Sequence, residues 1–158
     1  MTIIQASTII DAPIEVCFHL SLSIDLELTS AQQYGIKAVG GVTKGSIGLG
    51  ERVTWKARQF GIWVTHTSEI ARLQPPTYFQ DAMVNGLFRS FKHDHFFGSV
   101  NSNCTEMRDE LRYSMPVYLL GTLTEHLLVK RRLTHLLMAR NALIKTNAES
   151  SAVELSER

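Results

Sequence analysis

Cysteine is scarce in these 158 residues: Cys17 and Cys104 are the only two, and they lie far apart. No CxxC pair exists, so a zinc ribbon or a dithiol redox motif has no support, and a chain of this length can bury a sizeable core without metal or disulfide staples. An excess of one charge sign is also missing. Sixteen Lys and Arg stand against fifteen Asp and Glu, a formal net charge of +1 with both signs spread along the chain. Nucleic-acid binding needs a concentrated basic surface, so no nucleic-acid partner is expected. No apolar run approaches the roughly 18 residues of a membrane span, and the chain opens straight into a strand-like Thr2–Ile10 without the basic and apolar regions of a signal peptide. The expectation is a single domain, soluble and cytoplasmic, with no transmembrane segment.

What is present is mostly period two. Ile3, Ile4, Ile9 and Ile10 suggest a first strand that stops at Asp11-Ala-Pro13, where Asp11 can cap and Pro13 suits the first turn of a helix. Pro13–Leu20 and Ser23–Ser30 read as two short helices, the first with Ile14, Cys17 and Phe18 inward. Gly41, Gly45, Gly48 and Gly50 then punctuate a loop. It lacks the Gly-Lys-Ser order of a phosphate loop, and is expected to be plain turns or a mobile segment at a pocket mouth. From Glu51 the alternation is regular. Val53, Trp55 and Ala57 face one way, and after Gly61 so do His66, Ser68 and Ile70; Gln74-Pro75-Pro76 ends that strand. Phe79, Asp81 and Met83 alternate in the next, and Asn85-Gly86 supplies a turn.

The following pair carries the chemistry. Phe91, His93, His95 and Phe97 share one face of a strand, and Thr105, Met107, Asp109, Leu111 and Tyr113 one face of its successor. Pairing Phe97 with Thr105 would set His95 opposite Met107 and His93 opposite Asp109, with β-carbons about 5 Å apart.

A long helix, Thr122 to Thr146, closes the chain. Thr122-Leu-Thr-Glu125 has the form of a capping box, and helix formers dominate thereafter. Val129, Leu133, Leu136, Leu137, Leu143 and Ile144 fall on one side; Leu120, Leu123, Leu127 and Leu128 fall nearly opposite, a second face open to a partner, such as a second copy in a homodimer, or to a ligand. Lys130, Arg131, Arg132, Arg140 and Lys145 read as a solvated basic face. Asn147–Arg158, polar and without aromatics, reads as a disordered tail behind a domain of residues 1–146.

Strand, two short helices, a run of antiparallel strands and a long C-terminal helix form a helix-grip pattern of the α+β class. With Ile10-Asp-Ala-Pro13-Ile-Glu-Val16-Cys-Phe18, Leu73-Gln-Pro75-Pro-Thr-Tyr-Phe79 and Phe91-Lys-His93-Asp-His95-Phe-Phe97, the chain up to about Thr146 resembles the START-like superfamily, also called the SRPBCC or polyketide cyclase/dehydrase and lipid-transport superfamily, which includes the Bet v 1-like proteins. The resemblance implies a curved sheet of about seven antiparallel strands gripping the last helix around a deep cavity, hydrophobic small-molecule binding there, and in some members cyclisation or dehydration. The Cys/His clusters of an oxygenase subunit's metal domain are missing.

If the alternating faces look inward, Trp55, Phe79, Met83, Phe91, Phe97, Met107 and Leu111 line the cavity, with His66, Asp81, His93, His95 and Asp109 as a polar minority. Three readings of that minority stay open. The groups satisfy one another as buried polar groups must; or they orient a lipid or polyketide-like ligand; or a His-Asp pair drawn from His93, His95 and Asp109 acts as the general base of a cyclase or dehydratase. No cofactor is expected, and no metal, since no pattern positions a third ligand beside His93 and His95.

Overall fold

A computed structural model describes the backbone of residues 1–59, 61–116 and 123–156. The chain order is β1 (Thr2–Ile10), α1 (Ile14–Ser21), α2 (Ile24–Ala31), a 3-10 turn (Gln32–Tyr34), β2 (Lys37–Gly41), β3 (Arg52–Gln59), β4 (Ile62–Gln74), β5 (Tyr78–Asn85), β6 (Ser90–Asn101), β7 (Cys104–Ser114) and α3 (Leu123–Ser156). The strands form one antiparallel sheet in the order β1-β7-β6-β5-β4-β3-β2. The connection through α1 and α2 therefore carries the chain from one sheet edge to the other, and both helices pack on α3. This is the expected helix-grip arrangement of the α+β class.

The apolar core lies between sheet and helices. Ile10, Cys17, Phe18, Phe79, Phe97, Met107, Ile144 and Ala148 are buried in one cluster, and Ile4, Leu111, Tyr113 and Leu137 in a second. Phe18 meets Phe79 and Phe97 edge-on at centroid distances of 5.8 and 5.4 Å. Each large apolar side chain buried this way contributes roughly 1.5–3 kcal/mol.

Local chemistry explains most element ends, with some departures from the sequence reading. Asp11 does not cap α1: Pro13 occupies the cap position without a side-chain bond, and the Asp11 N–H donates to Glu149. Ser23 caps α2 by accepting from the Leu26 N–H. The glycine loop is tied down rather than free. Gly45 N–H donates to Asp25 and its carbonyl accepts from Ile24, Ile47 N–H donates to Leu22, and Ile47 is buried. Gly86 has no room for a side chain, since a Cβ there would lie 2.9 Å from both His66 Nδ1 and Met83 Sδ.

The β6–β7 register differs from the expected one by two residues. Phe97 pairs with Met107, His95 with Asp109 and His93 with Leu111, because the hairpin closes tightly at Asn101–Cys104 with an irregularity between Ser99 and Asn101. A shift of two preserves the faces, so the inward set is unchanged.

The last helix also differs. It runs 34 residues, about 51 Å long, through Ser156, so the segment read as a disordered tail is helical to that point. Its polar residues are compatible with helix and its small ones lie on the core side: Ala148 is fully buried, Ala152 packs on the core, and Lys145 pairs with Glu149 at 2.8 Å. Val129, Leu133, Leu137 and Ile144 do face the core. Leu127 and Leu128 are exposed, while the Thr122–Glu125 capping box and the side chains of Leu120 and Leu123 lie outside the described residues.

On the sheet's outer surface Asp94 is almost completely covered. Tyr78 Oη donates at 2.6 Å, Gln80 Nε2 at 2.7 Å, and Arg112 pairs with its second oxygen. Burial opposes its charge, but these donors outweigh it and hold the carboxyl below its usual range. Asp94→Asn should lower stability by about 1–3 kcal/mol in urea titrations at neutral pH. The depressed value means that this contribution is complete above the unfolded pKa, about 3.9, and fades as pH falls through the folded one; the variant's stability should therefore vary less over the acid range. Removing residues 147–158 should cost about 1–3 kcal/mol in the same titration, and an unchanged midpoint would show that the last turns of α3 are not part of the fold.

Candidate functional site

Between the concave face of the sheet and α3 lies a cavity of about 700 Å³. Its walls include Trp55, Ala57 and Val64 from β3 and β4, Phe79 from β5, Phe91 and Leu111 from β6 and β7, and Val129, Leu133 and Leu136 from α3. The strand alternation explains why the sheet side chains converge: each is on the inward parity of its strand, and Val129, Leu133 and Leu136 meet them from the helix. Leu87, Leu128, Arg131 and Arg132 also line it, so one exposed leucine of the helix's second face belongs to the cavity rather than to an isolated surface.

Of the residues anticipated from sequence, Trp55, His66, Phe79, Asp81, Phe91, His93, His95 and Leu111 line the cavity. Phe97, Met107 and Asp109 do not: all three are buried beneath it, Phe97 and Met107 as core. Met83 is half-buried and sits against Gly86 beside His66.

Four of the polar residues form a compact group. Asp109 on β7 has no exposed side-chain surface. His93 Nε2 approaches its Oδ1 at 3.0 Å and His95 Nδ1 approaches the same oxygen at 2.8 Å, close but out of line for a well-formed hydrogen bond. Asp81 on β5 takes the other edge of both rings, with Oδ2 at 3.4 Å from His95 Nε2 and 3.8 Å from His93 Nδ1. The rings lie 3.7 Å apart, and His95 stacks on Phe79 at 4.0 Å. Cross-strand pairing dictates this meeting, since Asp81 is opposite His93 and His95 is opposite Asp109.

Two members were missed in the sequence. Arg140, read there as part of a solvated basic face, is buried: Nε donates to Glu27 at 2.6 Å, Nη2 to the Ser21 carbonyl at 2.7 Å, and Nη1 comes within 3.9 Å of Asp109. Asn141 Nδ2 donates to Asp109 Oδ2 at 2.7 Å. Both lie on the inner stripe set by Leu133, Leu137, Ile144 and Ala148. The helical period was the available signal, overridden by the habit of placing arginine in solvent.

Environment separates these groups electrostatically. Burial opposes charge on Asp109, yet the bonds and charges of His93 and His95 hold it well below the ordinary carboxylate range. Asp81 is likewise held low against the effect of burial by His95 and His93. Burial and the neighbouring His95 depress His93, against the pull of Asp109, while burial depresses His66. The cluster thus offers ionised carboxylates, His93 biased toward its neutral form, and an edge open to an apolar chamber. It can accept or donate hydrogen bonds to an oxygen-bearing ligand, hold a proton, or present Asp81, His93 and His95 as donors to a metal.

No protein-family model matches the sequence, and no curated protein matches it. Solved structures do match over most of their length. TTHA0849 from Thermus thermophilus is 17% identical, with 93% of this chain and 99% of that one covered at a TM-score of 0.69. The Zhui aromatase/cyclase from Streptomyces sp. R1128 is 12% identical, with 94% and 93% covered at 0.69. A START superfamily protein from Mycobacterium smegmatis is 12% identical, with 97% and 98% covered at 0.59. Among the described residues no helix is long and apolar enough to cross a membrane. The structural likenesses and the sheet-and-helix arrangement together show that this chain has a START/SRPBCC-like, helix-grip fold.

Proposed function

We propose that the protein binds a hydrophobic or aromatic small molecule, lipid or polyketide-like, in the cavity between sheet and α3. The observation that carries this reading is a chamber of about 700 Å³ with predominantly apolar walls, in which Asp81, His93 and His95 are clustered among the polar groups of the lining. Small-molecule sites have this make-up: apolar surface supplies affinity, and a few placed polar groups select orientation. A ligand carrying a carbonyl or hydroxyl would set that oxygen toward the histidines and its apolar body against Trp55, Phe91 and Leu133.

A second reading is supported by the close contacts of Asp109 with His93 and His95. A carboxylate that fixes an imidazole's tautomer leaves a lone pair on the other ring nitrogen, here beside Asp81, that can take a proton next to a substrate carbonyl, the step an aldol-type cyclase or dehydratase requires. The aromatase/cyclase among the structural neighbours makes this chemistry compatible with the fold.

Occlusion separates binding in the chamber from binding elsewhere. Ala57 lines the cavity, and Ala57→Trp should fill part of it. The apolar fluorophore 1-anilinonaphthalene-8-sulfonate should bind the natural chain at one site and the variant at least tenfold more weakly, with unchanged circular dichroism; equal affinity would place the binding outside the chamber. For the enzymatic reading, any turnover should fall at least about 100-fold in His93→Ala or His95→Ala, and turnover unchanged in both variants would remove the general-base role.

A further inference from the structure

All four ring nitrogens of His93 and His95 face carboxylate oxygens, at 3.0 and 2.8 Å from Asp109 and at 3.8 and 3.4 Å from Asp81. Two neutral imidazoles bring only two N–H groups. Whichever tautomers are chosen, two of the four contacts then set a nitrogen lone pair against a carboxylate oxygen, an arrangement that calls for two further protons or one divalent cation.

The two carboxylates are not equivalent. Asp109 is sealed from solvent, with both histidines on one oxygen and Asn141 donating to the other. Asp81 is partly exposed and lines the cavity; the contacts its carboxylate makes to these two rings run through a single oxygen. Protons on His93 Nε2 and His95 Nδ1 belong with Asp109, which leaves His93 Nδ1, His95 Nε2 and an Asp81 oxygen converging from the cavity wall.

We propose that Asp81, His93 and His95 form a binding site for a divalent first-row transition ion such as Zn²⁺, Fe²⁺ or Co²⁺, with Asp109 orienting the two imidazoles from behind. One donor atom from each of the three residues lies within 4.8 Å of the others. Donors bound to one tetrahedral ion at 2.0–2.2 Å sit about 3.4 Å apart, against 3.4 and 3.8 Å for the two carboxylate–imidazole contacts, so both of those pairs are already near the separation an ion requires. Two imidazoles and one carboxylate select these ions over Mg²⁺ and Ca²⁺, which prefer all-oxygen sites. A carboxylate behind ligating histidines is the usual device for fixing the tautomer and ring orientation in metal sites. Three protein ligands leave at least one coordination position, and here it opens into the apolar chamber. Metal binding at this cluster does not depend on whether the chamber also binds an organic ligand.

Protein stripped with EDTA and dialysed should take up one equivalent of Zn²⁺ by calorimetry. With Co²⁺ it should develop visible absorption of low-coordinate form. Asp81→Asn and His93→Ala should each weaken uptake at least tenfold, and Asp109→Asn by about 10–100-fold. Asp81 is partly exposed, so Asp81→Asn is the variant expected to keep its fold even if His93→Ala does not, with circular dichroism as the check. Lack of saturable uptake at one equivalent would overturn the site in favour of a protonated cluster. So would undiminished uptake by folded Asp81→Asn, which would assign the metal to other histidines such as His19 or His135.

Discussion

A carboxylate with no exposed surface sits at the centre of this molecule. Burying an isolated charge costs several kcal/mol even after relaxation, so Asp109 can persist only if its surroundings meet both oxygens. They do so from two directions: His93 and His95 from the neighbouring strand, Asn141 from α3. Arg140, one residue earlier on the helix, comes within 3.9 Å of Oδ1, the oxygen the histidines share, while anchoring α2 through Glu27 and α1 through the Ser21 carbonyl. Asp109 thereby ties the sheet to α3, and Arg140 ties α3 to α1 and α2. The apolar clusters on either side supply most of the stabilisation, and this network decides how the helix docks.

The same constraint shapes the chamber. Arg140 and Asn141, on the inner stripe of α3, take the Asp109 side, whereas Val129, Leu133 and Leu136 toward the other end of the helix line the chamber. The cavity's walls are predominantly apolar, and the outward side of the Asp109 cluster is among its polar groups. Phe79 stacked on His95 and Gly86 pressed against His66 keep those rings in place.

Most of the architecture was legible in the sequence, because strand alternation with period two assigns faces without any knowledge of register. That is why the inward set of β6 and β7 was correct although the pairing was displaced by two residues; parity survives such a shift, and the exact partner does not. It also explains the residues misplaced along the third dimension. Phe97, Met107 and Asp109 have the right parity but lie under the chamber, a distinction set by sheet curvature and helix docking. Arg140 was misread because charge was weighed above helical position. The helix beyond Thr146 was misread because a polar composition was taken for lack of structure, when two alanines at the right spacing were enough to keep packing against the core. The third potential metal donor, Asp81, was on the list of inward residues, but only the cross-strand pairing with His93 brings it within reach.

The central claim is that this chamber is a binding site and not merely a packing irregularity. A crystal structure of gently purified protein tests it most directly. The account predicts an open chamber of several hundred Å³ holding density for an organic molecule, its polar end toward Asp81, His93 and His95. A chamber closed by inward rotation of Trp55, Phe91 and Leu133, with α3 settled onto the sheet, would contradict it.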